Sequence, residues 1–333
     1  MKILAFETSC DDTAVALVEN GHNILANITA SQTEIHQKYG GVVPEIAARN
    51  HINIIIQLID EAIKKSNYHL KDIDAFAATA FHGLSGSLLI GMMTAKTLSY
   101  IYSKPFIGIN HIEAHIYANF IENKNLPIPH ICLTVSGGHT ILVVFKGHNN
   151  YQVIGQTVDD AAGEAFDKLS QYLQLGYPGG PIIDKLAKNG NPEKYKLPRP
   201  MIKKNNFLFS FSGLKTATLN LIKNLKHNNE NYKIEDIAAS FQKAVVDTLV
   251  TKTIKAAKKY NIKTITLSGG VAANSMLREE FQTECIKNNI NFFYPQIKYC
   301  TDNAVMVGTL AYYKLKNGYT SKLDTNVIAN TLL

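Results

Sequence analysis

His111 and His115, in the run NHIEAH, stand four residues apart. On a helix of about 3.6 residues per turn they lie one above the other on a single face. Two imidazoles so placed can grip one divalent metal. The zinc-protease pattern H-E-x-x-H puts a glutamate directly after the first histidine. Here Ile112 holds that place, and the acid is Glu113, about 200° around the helix from His111. The pair therefore reads as a metal site without the protease base, although two histidines at this spacing can also be solvated or core residues. A metal needs a third ligand. Asp302, in Thr301-Asp302-Asn303 ahead of a helical run at 304–316, is the candidate. Two histidines and an aspartate form the facial set that suits Fe(II) and that Zn(II) also accepts. Cys300 is the poorer choice.

Three short loops of small polar residues follow strand-like runs. Glu7-Thr-Ser-Cys-Asp-Asp-Thr13 and Ser136-Gly-Gly-His-Thr140 each join two such runs, and Ser268-Gly-Gly-Val-Ala-Ala-Asn274 opens a helix. Glycines let successive N–H groups close on a phosphate, and a helix N-terminus favours anions. One Gly pair is commonly just a turn, but three in equivalent places point to a nucleotide. Asp11 and Asp12 could hold a cation or a substrate amine, or form an Asx turn. Asp167 lies at a helix start in Gly163-Glu-Ala-Phe-Asp-Lys168, facing inward or merely solvated. Gly176-Tyr-Pro-Gly-Gly-Pro181 is a rigid turn whose Gly179 and Gly180 suit close ligand approach, with Asp184 one turn on. Phe209-Ser-Phe-Ser-Gly-Leu-Lys-Thr216 could stack a base or contact a phosphate, or be a plain strand, turn and helix.

The elements that must carry these loops are legible. Runs 2–6, 13–18 and 23–29 alternate or stay apolar like strands, and Glu19-Asn-Gly21 is a hairpin signal. Pro44 opens a helix to 66 with a stripe of Ile46, Ile52, Ile55, Ile56 and Ile59. Strand 73–79, a helix to about 102 and strand 105–109 complete a first half. The order then recurs: strands 130–135, 140–146 and 151–157, helix 235–260, strand 262–267, loop and helix 268–287, strand 290–294. This is a large pseudo-repeat. It implies two α/β halves, residues 1–109 with about 304–333 and residues 110–303, the second carrying an insertion at 160–232. Such halves leave a cleft where nucleotides commonly bind.

The apolar share is 46% and the charged share 18%, an ordinary globular composition. The net charge of +7 favours an anionic partner, nucleic acid first, though solvated lysine faces would give the same sum. Nearly all of that charge is lysine; the arginines are Arg49, Arg199 and Arg278. Lys203 and Lys204 form one run. Lys252, Lys255, Lys258 and Lys259 share a helix and read as its solvated face. Cys10, Cys132, Cys285 and Cys300 are scattered and read as free thiols of a reducing, cytoplasmic setting. The apolar stretch 84–102 is broken by Ser85, Ser87, Thr94 and Lys96, so a core helix is expected and no membrane span.

Taken together, ETSCDDTA, GGVVPEIAAR, NHIEAH, VSGGHT, GEAFDK, GYPGGP, FSFSGLK, SGGVAAN and CTDNAVM, in this order, resemble one family across nearly the whole chain. It is the tRNA adenosine threonylcarbamoyltransferases (TsaD, once called O-sialoglycoprotein endopeptidases). The resemblance implies a duplicated actin/Hsp70-like, ribonuclease H-like two-lobed α/β nucleotide-binding fold. It implies one divalent metal per subunit on His111, His115 and Asp302, usually iron. It also implies substrate contacts from Thr134, Val135, Ser136, Gly137, Gly138, Asp167, Gly180, Asp184 and Asn274. The implied reaction moves threonylcarbamoyl from threonylcarbamoyl-AMP to the exocyclic amine of the adenosine beside the anticodon, in tRNAs reading codons that begin with A. Asp11 is the candidate for orienting or deprotonating that amine. Implied partners are tRNA, a non-catalytic TsaB-like paralogue and a small TsaE-like P-loop ATPase. Two alternatives stay open at this point: a metal-dependent glycoprotein endopeptidase, and a nucleotide-dependent switch without transferase chemistry.

Overall fold

The computed structural model describes residues 1–331. The chain divides into two compact units, Met1–Leu126 with the segment from Lys298 onward, and Pro127–Ile297.

In the first unit, β1 (Lys2–Glu7), β2 (Thr13–Glu19) and β3 (Asn23–Ala30) form an antiparallel meander. Asn20 and Gly21 both have positive φ at the second turn, as an Asn-Gly hairpin requires. A short α1 (Thr33–Gln37) leads to α2 (Pro44–Ser66), which Pro44 opens at its first turn. Next come β4 (Ala75–Phe81), α3 (Ser85–Tyr102), β5 (Phe106–Asn110) and α4 (His111–Tyr117). The sheet order is β3-β2-β1-β4-β5, with β4 and β5 parallel to β1. Because strand side chains alternate, Leu4 and Phe6 join one core with Ile55, Leu58 and Met92 of α2 and α3. Ala5 and Val18 lie on the opposite side, where a Cβ on Gly308 would come within 3.3 Å of Ala5 and 2.8 Å of Val18.

The second unit repeats this plan. Strands β6 (His130–Val135), β7 (Thr140–Gly147) and β8 (Asn150–Gln156) form the meander. Helices α5 (Ala162–Tyr172), α6 (Gly179–Ala187), α7 (Ser212–His227) and α8 (Ile234–Lys259) follow. Then come β9 (Thr264–Ser268), α9 (Ser275–Lys287) and β10 (Asn291–Phe293). The order β10-β9-β6-β7-β8 is the first sheet's order, with β6 in the place of β1 and β9 in the place of β4. The last helix, α10 (Ala304–Lys316), returns to the first unit.

Three sequence expectations need revision. The units divide after residues 126 and 297, not after 109 and 303, because α4 packs on α10 as well as on β4 and β5. The isoleucine stripe of α2 is only half core: Ile55 and Ile59 are buried, whereas Ile52 and Ile56 are 57% and 68% exposed. The α8 lysines do not all share a solvated face. Lys252 is buried, and its ammonium donates to the Asn206 carbonyl at 2.9 Å. Helix α3 buries Leu88, Met92 and Ala95 but leaves Leu89, Met93, Tyr100 and Ile101 exposed, so it is core on one side only, and among the described residues no helix is long and apolar enough to cross a membrane.

Candidate metal centre and substrate loops

Two asparagine caps build the metal centre. Asn110 ends β5, and its side-chain oxygen accepts the N–H groups of Ile112 and Glu113, which starts α4 at His111. Asn303 does the same for Met306 and starts α10 directly after Asp302. Since α4 packs on α10, both histidines face Asp302. Ligand atoms of His111, His115 and Asp302 all lie within 4.8 Å of one another. His115 Nε2 is 3.1 Å and His111 Nε2 is 3.6 Å from the same Asp302 oxygen. His115 is 1% exposed, and neither of its ring nitrogens makes a hydrogen bond of good geometry. Two buried imidazoles and a carboxylate gathered this closely fit a divalent cation. Glu113 turns away, as its helix position requires, and pairs with Lys314 at 2.9 Å.

Behind this set lies a residue that sequence reasoning did not single out. Glu7 ends β1, is wholly buried, and places Oε2 3.2 Å from His111 Nδ1. Thr79 donates to the same oxygen at 2.7 Å, and the Ser9 N–H donates to Oε1 at 2.6 Å. A carboxylate on Nδ1 makes that nitrogen the protonated one, which leaves Nε2 as the ligand atom. Burial would depress the His111 imidazole, but Asp302 and Glu7 outweigh it and hold it up to about 9. Burial pushes the Glu7 carboxyl up, yet its attraction to His111 wins and lowers it. The signal was a lone acid closing an otherwise apolar strand.

The β1–β2 turn is pinned at three successive residues. The Thr8 hydroxyl donates to the Ser87 carbonyl at 2.8 Å and presses on Gly91, where a Cβ would meet it at 2.6 Å. The Ser9 carbonyl accepts Leu84 N–H at 2.8 Å. The Cys10 carbonyl lies 3.0 Å from His51 Nε2, while Thr13 Oγ1 holds His51 Nδ1 at 2.6 Å. Burial and the neighbouring acids Asp11 and Asp302 push the Cys10 thiol far up, which removes it as a nucleophile. The turn presents Asp11 and Asp12, both half-buried. At Asp12, burial, then Asp302, Asp11 and Glu7, outweigh a Ser31 hydrogen bond and raise the carboxyl to about 7.

In the second unit the corresponding β6–β7 turn is Ser136–His139, closed by the Ser136 N–H donating to the His139 carbonyl at 2.8 Å. Thr134 and Val135 lie inside β6 with buried side chains, Thr134 Oγ1 sitting 2.9 Å from Ser268 Oγ. Their side chains are therefore closed to a ligand. Several glycines here are demanded by the chain itself. A Cβ on Gly163 would meet the Ser136 carbonyl at 2.5 Å, one on Gly179 the Phe166 carbonyl at 2.6 Å, and one on Gly269 the Val135 carbonyl at 2.3 Å. Gly137, Gly138, Gly180 and Gly270 differ, with nothing within 4 Å of an added Cβ and no positive φ. Nothing in the fold requires glycine at these positions.

Asp167 accepts the Gly179 N–H at 2.7 Å and so begins α6. Asp184 on α6 and Asn274 at the cap of α9 are brought together through Gln242 of α8, a second residue the sequence reading missed. The segment from Phe209 to Thr216 is not a free anion site. Asp159 fills the N-terminus of α7, accepting from Phe211 N at 2.8 Å, Ser210 Oγ at 2.5 Å and Ser212 Oγ at 2.7 Å, while Lys215 pairs with Asp160.

Known proteins agree with this architecture. Solved structures similar to the chain include HypF from T. kodakarensis (TM-score 0.64, 15% identity, 95% of this chain and 48% of that one). Another is the activator of 2-hydroxyisocaproyl-CoA dehydratase from Clostridium difficile with bound ADPNP (TM-score 0.55, 15% identity, 96% of this chain and 97% of that one). At these identities they show the fold alone, a duplicated actin/Hsp70-like α/β architecture. A tRNA N6-adenosine threonylcarbamoyltransferase of Caldicellulosiruptor saccharolyticus is 54% identical over 328 residues, covering 98% of this chain and 97% of its own. One from Clostridium kluyveri is 49% identical over 334 residues, covering 100% and 98%. The family model "TsaD: tRNA N6-adenosine threonylcarbamoyltransferase" matches residues 23–309, and the chain belongs to that family.

Proposed function

We propose that the chain transfers threonylcarbamoyl from threonylcarbamoyl-AMP to the N6 amine of the adenosine next to the anticodon, in tRNAs that read codons beginning with A. Membership of the family over nearly the full length carries this reading. The amine lone pair is delocalised into the purine, so the acyl group must arrive activated. The amine nitrogen forms a bond to the carbamoyl carbon, the bond from that carbon to the phosphate oxygen breaks, AMP leaves, and the amine sheds one proton. The open backbone at Gly137, Gly138 and Gly180 suits the phosphate and nucleoside of the leaving group. Ser136, Asp167, Asp184 and Asn274, with the main chain of Thr134 and Val135, complete the substrate set.

His111, His115 and Asp302 would hold the metal, and Fe(II) is the ion we assign, with Zn(II) chemically acceptable to the same donors. When bound, it supplies a positive charge that stabilises negative charge developing on acyl or phosphate oxygens. Asp11 is the residue we assign to orient the amine or accept its proton, with Asp12 beside it on the same half-buried turn. The peptidase alternative lacks its base, because Ile112 occupies the glutamate position and Glu113 is engaged by Lys314.

The chain would work in the cytoplasm with tRNA and, by family, with a TsaB-like paralogue and a TsaE-like ATPase. Exposed Lys203 and Lys204 line a depression of about 370 Å³ with Arg199 and are the phosphate contacts we assign to tRNA. Mass spectrometry of tRNA nucleosides after depletion of the protein tests the function. Loss of threonylcarbamoyladenosine is expected, and an unchanged nucleoside profile refutes it.

A further inference from the structure

Gln242 of α8 is 1% exposed. Its amide joins two residues of the proposed substrate set: Nε2 donates to Asp184 Oδ1 at 3.1 Å, and Oε1 accepts from Asn274 Nδ2 at 2.8 Å. The direction of this chain of hydrogen bonds is fixed at both ends. The Leu277 N–H, a donor only, occupies Asn274 Oδ1 at 2.9 Å. That forces Nδ2 of Asn274 toward Gln242, which forces Oε1 of Gln242 toward Asn274 and Nε2 toward Asp184, an acceptor only. Ser275 adds its hydroxyl to Asp184 Oδ1 at 2.9 Å. What remains is one uncommitted amide hydrogen on Asn274, and Asp184 Oδ2, which holds nothing but the Ser275 N–H at 3.3 Å. One charged acceptor beside one donor is the complement of a vicinal diol, in which one hydroxyl donates to the carboxylate and the other accepts.

We infer that Gln242 is a positioning residue that sets Asp184 and Asn274 to receive the ribose diol of the nucleoside substrate, an inference that rests on the adenylate-dependent function proposed above. A leucine at 242 would keep the volume and remove both hydrogen bonds. Asp184 would lose its buried anchor, and Asn274 would lose the partner that fixes its amide.

The test is calorimetry with a non-hydrolysable adenylate analogue and its 2′,3′-dideoxy counterpart, on the wild-type chain and two variants. Wild type should bind the diol form at least about ten-fold tighter, the scale of a hydrogen bond to a charged group. In Gln242→Leu that preference should collapse, affinity for the dideoxy analogue staying as in wild type. Gln242→Glu, which still accepts from Asn274 but offers Asp184 no amide hydrogen, should lower the preference as well. Equal losses for both analogues in Gln242→Leu would make Gln242 merely structural and overturn the inference. An unchanged preference overturns it too. Failure of wild type to bind either analogue would instead refute the adenylate reading, and the inference with it.

Discussion

Exchanging Glu7 for Gln changes one atom and one charge, yet it should reverse the proton on His111. In the native site Ser9 N–H donates to Oε1, while Thr79 Oγ1 and His111 Nδ1 share Oε2. Ser9 N–H is a donor only, so a glutamine must turn its carbonyl there and its NH2 toward Thr79 and His111. His111 Nδ1 would then have to accept, and its proton would move to Nε2, the nitrogen that faces Asp302. A protonated Nε2 cannot ligate. Losing such an outer partner typically costs ten- to hundred-fold in metal affinity, about 1.4–2.7 kcal/mol. A second effect runs the other way. At pH 7 the wild type must drive a proton off an imidazole held up to about 9, at a cost on the order of 3 kcal/mol. Removing the Glu7 charge relaxes part of that hold. The assay is therefore competition for Zn(II) against a chelator above pH 9, where the imidazole is already neutral and only the tautomer effect remains. Ser9→Ala, which removes a contact to Nδ1 at 3.0 Å but leaves the carboxylate, serves as the control and should bind nearly as well as wild type. Wild-type affinity in a folded Glu7→Gln protein would refute the assignment of Nε2 as ligand atom.

The same site predicts a pH profile. His111 must deprotonate to bind, so metal affinity should rise about ten-fold per pH unit from 7 toward 9 and level off above it, which chelator competition at each pH would show. A flat profile across that window contradicts it. His111→Ala with His115→Ala should abolish metal binding while leaving circular dichroism unchanged; full occupancy by elemental analysis sinks the site. Gly138→Val meets nothing within 4 Å, so melting should shift little while affinity for an adenylate analogue falls at least about ten-fold, as calorimetry would measure. Lys203→Glu with Lys204→Glu should weaken tRNA binding and lower the slope of log affinity against log salt by about 2; filter binding with an unchanged slope moves the tRNA surface elsewhere.

The strands, the duplicated topology and the gathering of His111, His115 and Asp302 were legible in the sequence because each rests on local rules. Asn20-Gly21 declares its hairpin, Pro44 its helix, and His111 with His115 their shared face. Asp302 could be chosen because a small polar loop opening a helix is where a ligand commonly stands. What the sequence concealed depends on contacts between distant segments. Glu7 meets His111 across 104 positions, and Gln242 meets Asp184 across 58, so neither pairing leaves a local pattern. Ile52 and Ile56 fit the helical period as well as Ile55 and Ile59 do, but the sheet covers only one side of α2. Lys252 looked solvated because spacing cannot show that the Asn206 carbonyl waits above it. The segment Phe209–Thr216 looked receptive to an anion because Asp159, which already fills that place, lies 52 residues from Phe211.

The duplication explains where the chemistry sits in each unit. In both sheets the central strand runs into the first turn of the meander, β1 into Glu7–Asp12 and β6 into Ser136–His139. In both, a loop after a parallel strand opens a helix, though at different sheet positions: the edge strand β5 into α4, and β9, beside the central strand, through Gly270–Ala273 into α9. One topology thus offers the same two kinds of loop twice, a tight turn and a helix start. The residues filling them diverge according to charge. The first unit's turn carries acids and its helix start carries histidines, a combination that holds a cation. The second unit's turn and helix start carry bare glycines and an asparagine cap, which present N–H groups and suit an anion. Within the first unit, the charge of Asp302 raises the cost of ionising Glu7 and Asp12, and a cation on His111, His115 and Asp302 would relieve it. The cost of gathering acids around one turn therefore argues for the ion independently of the two histidines.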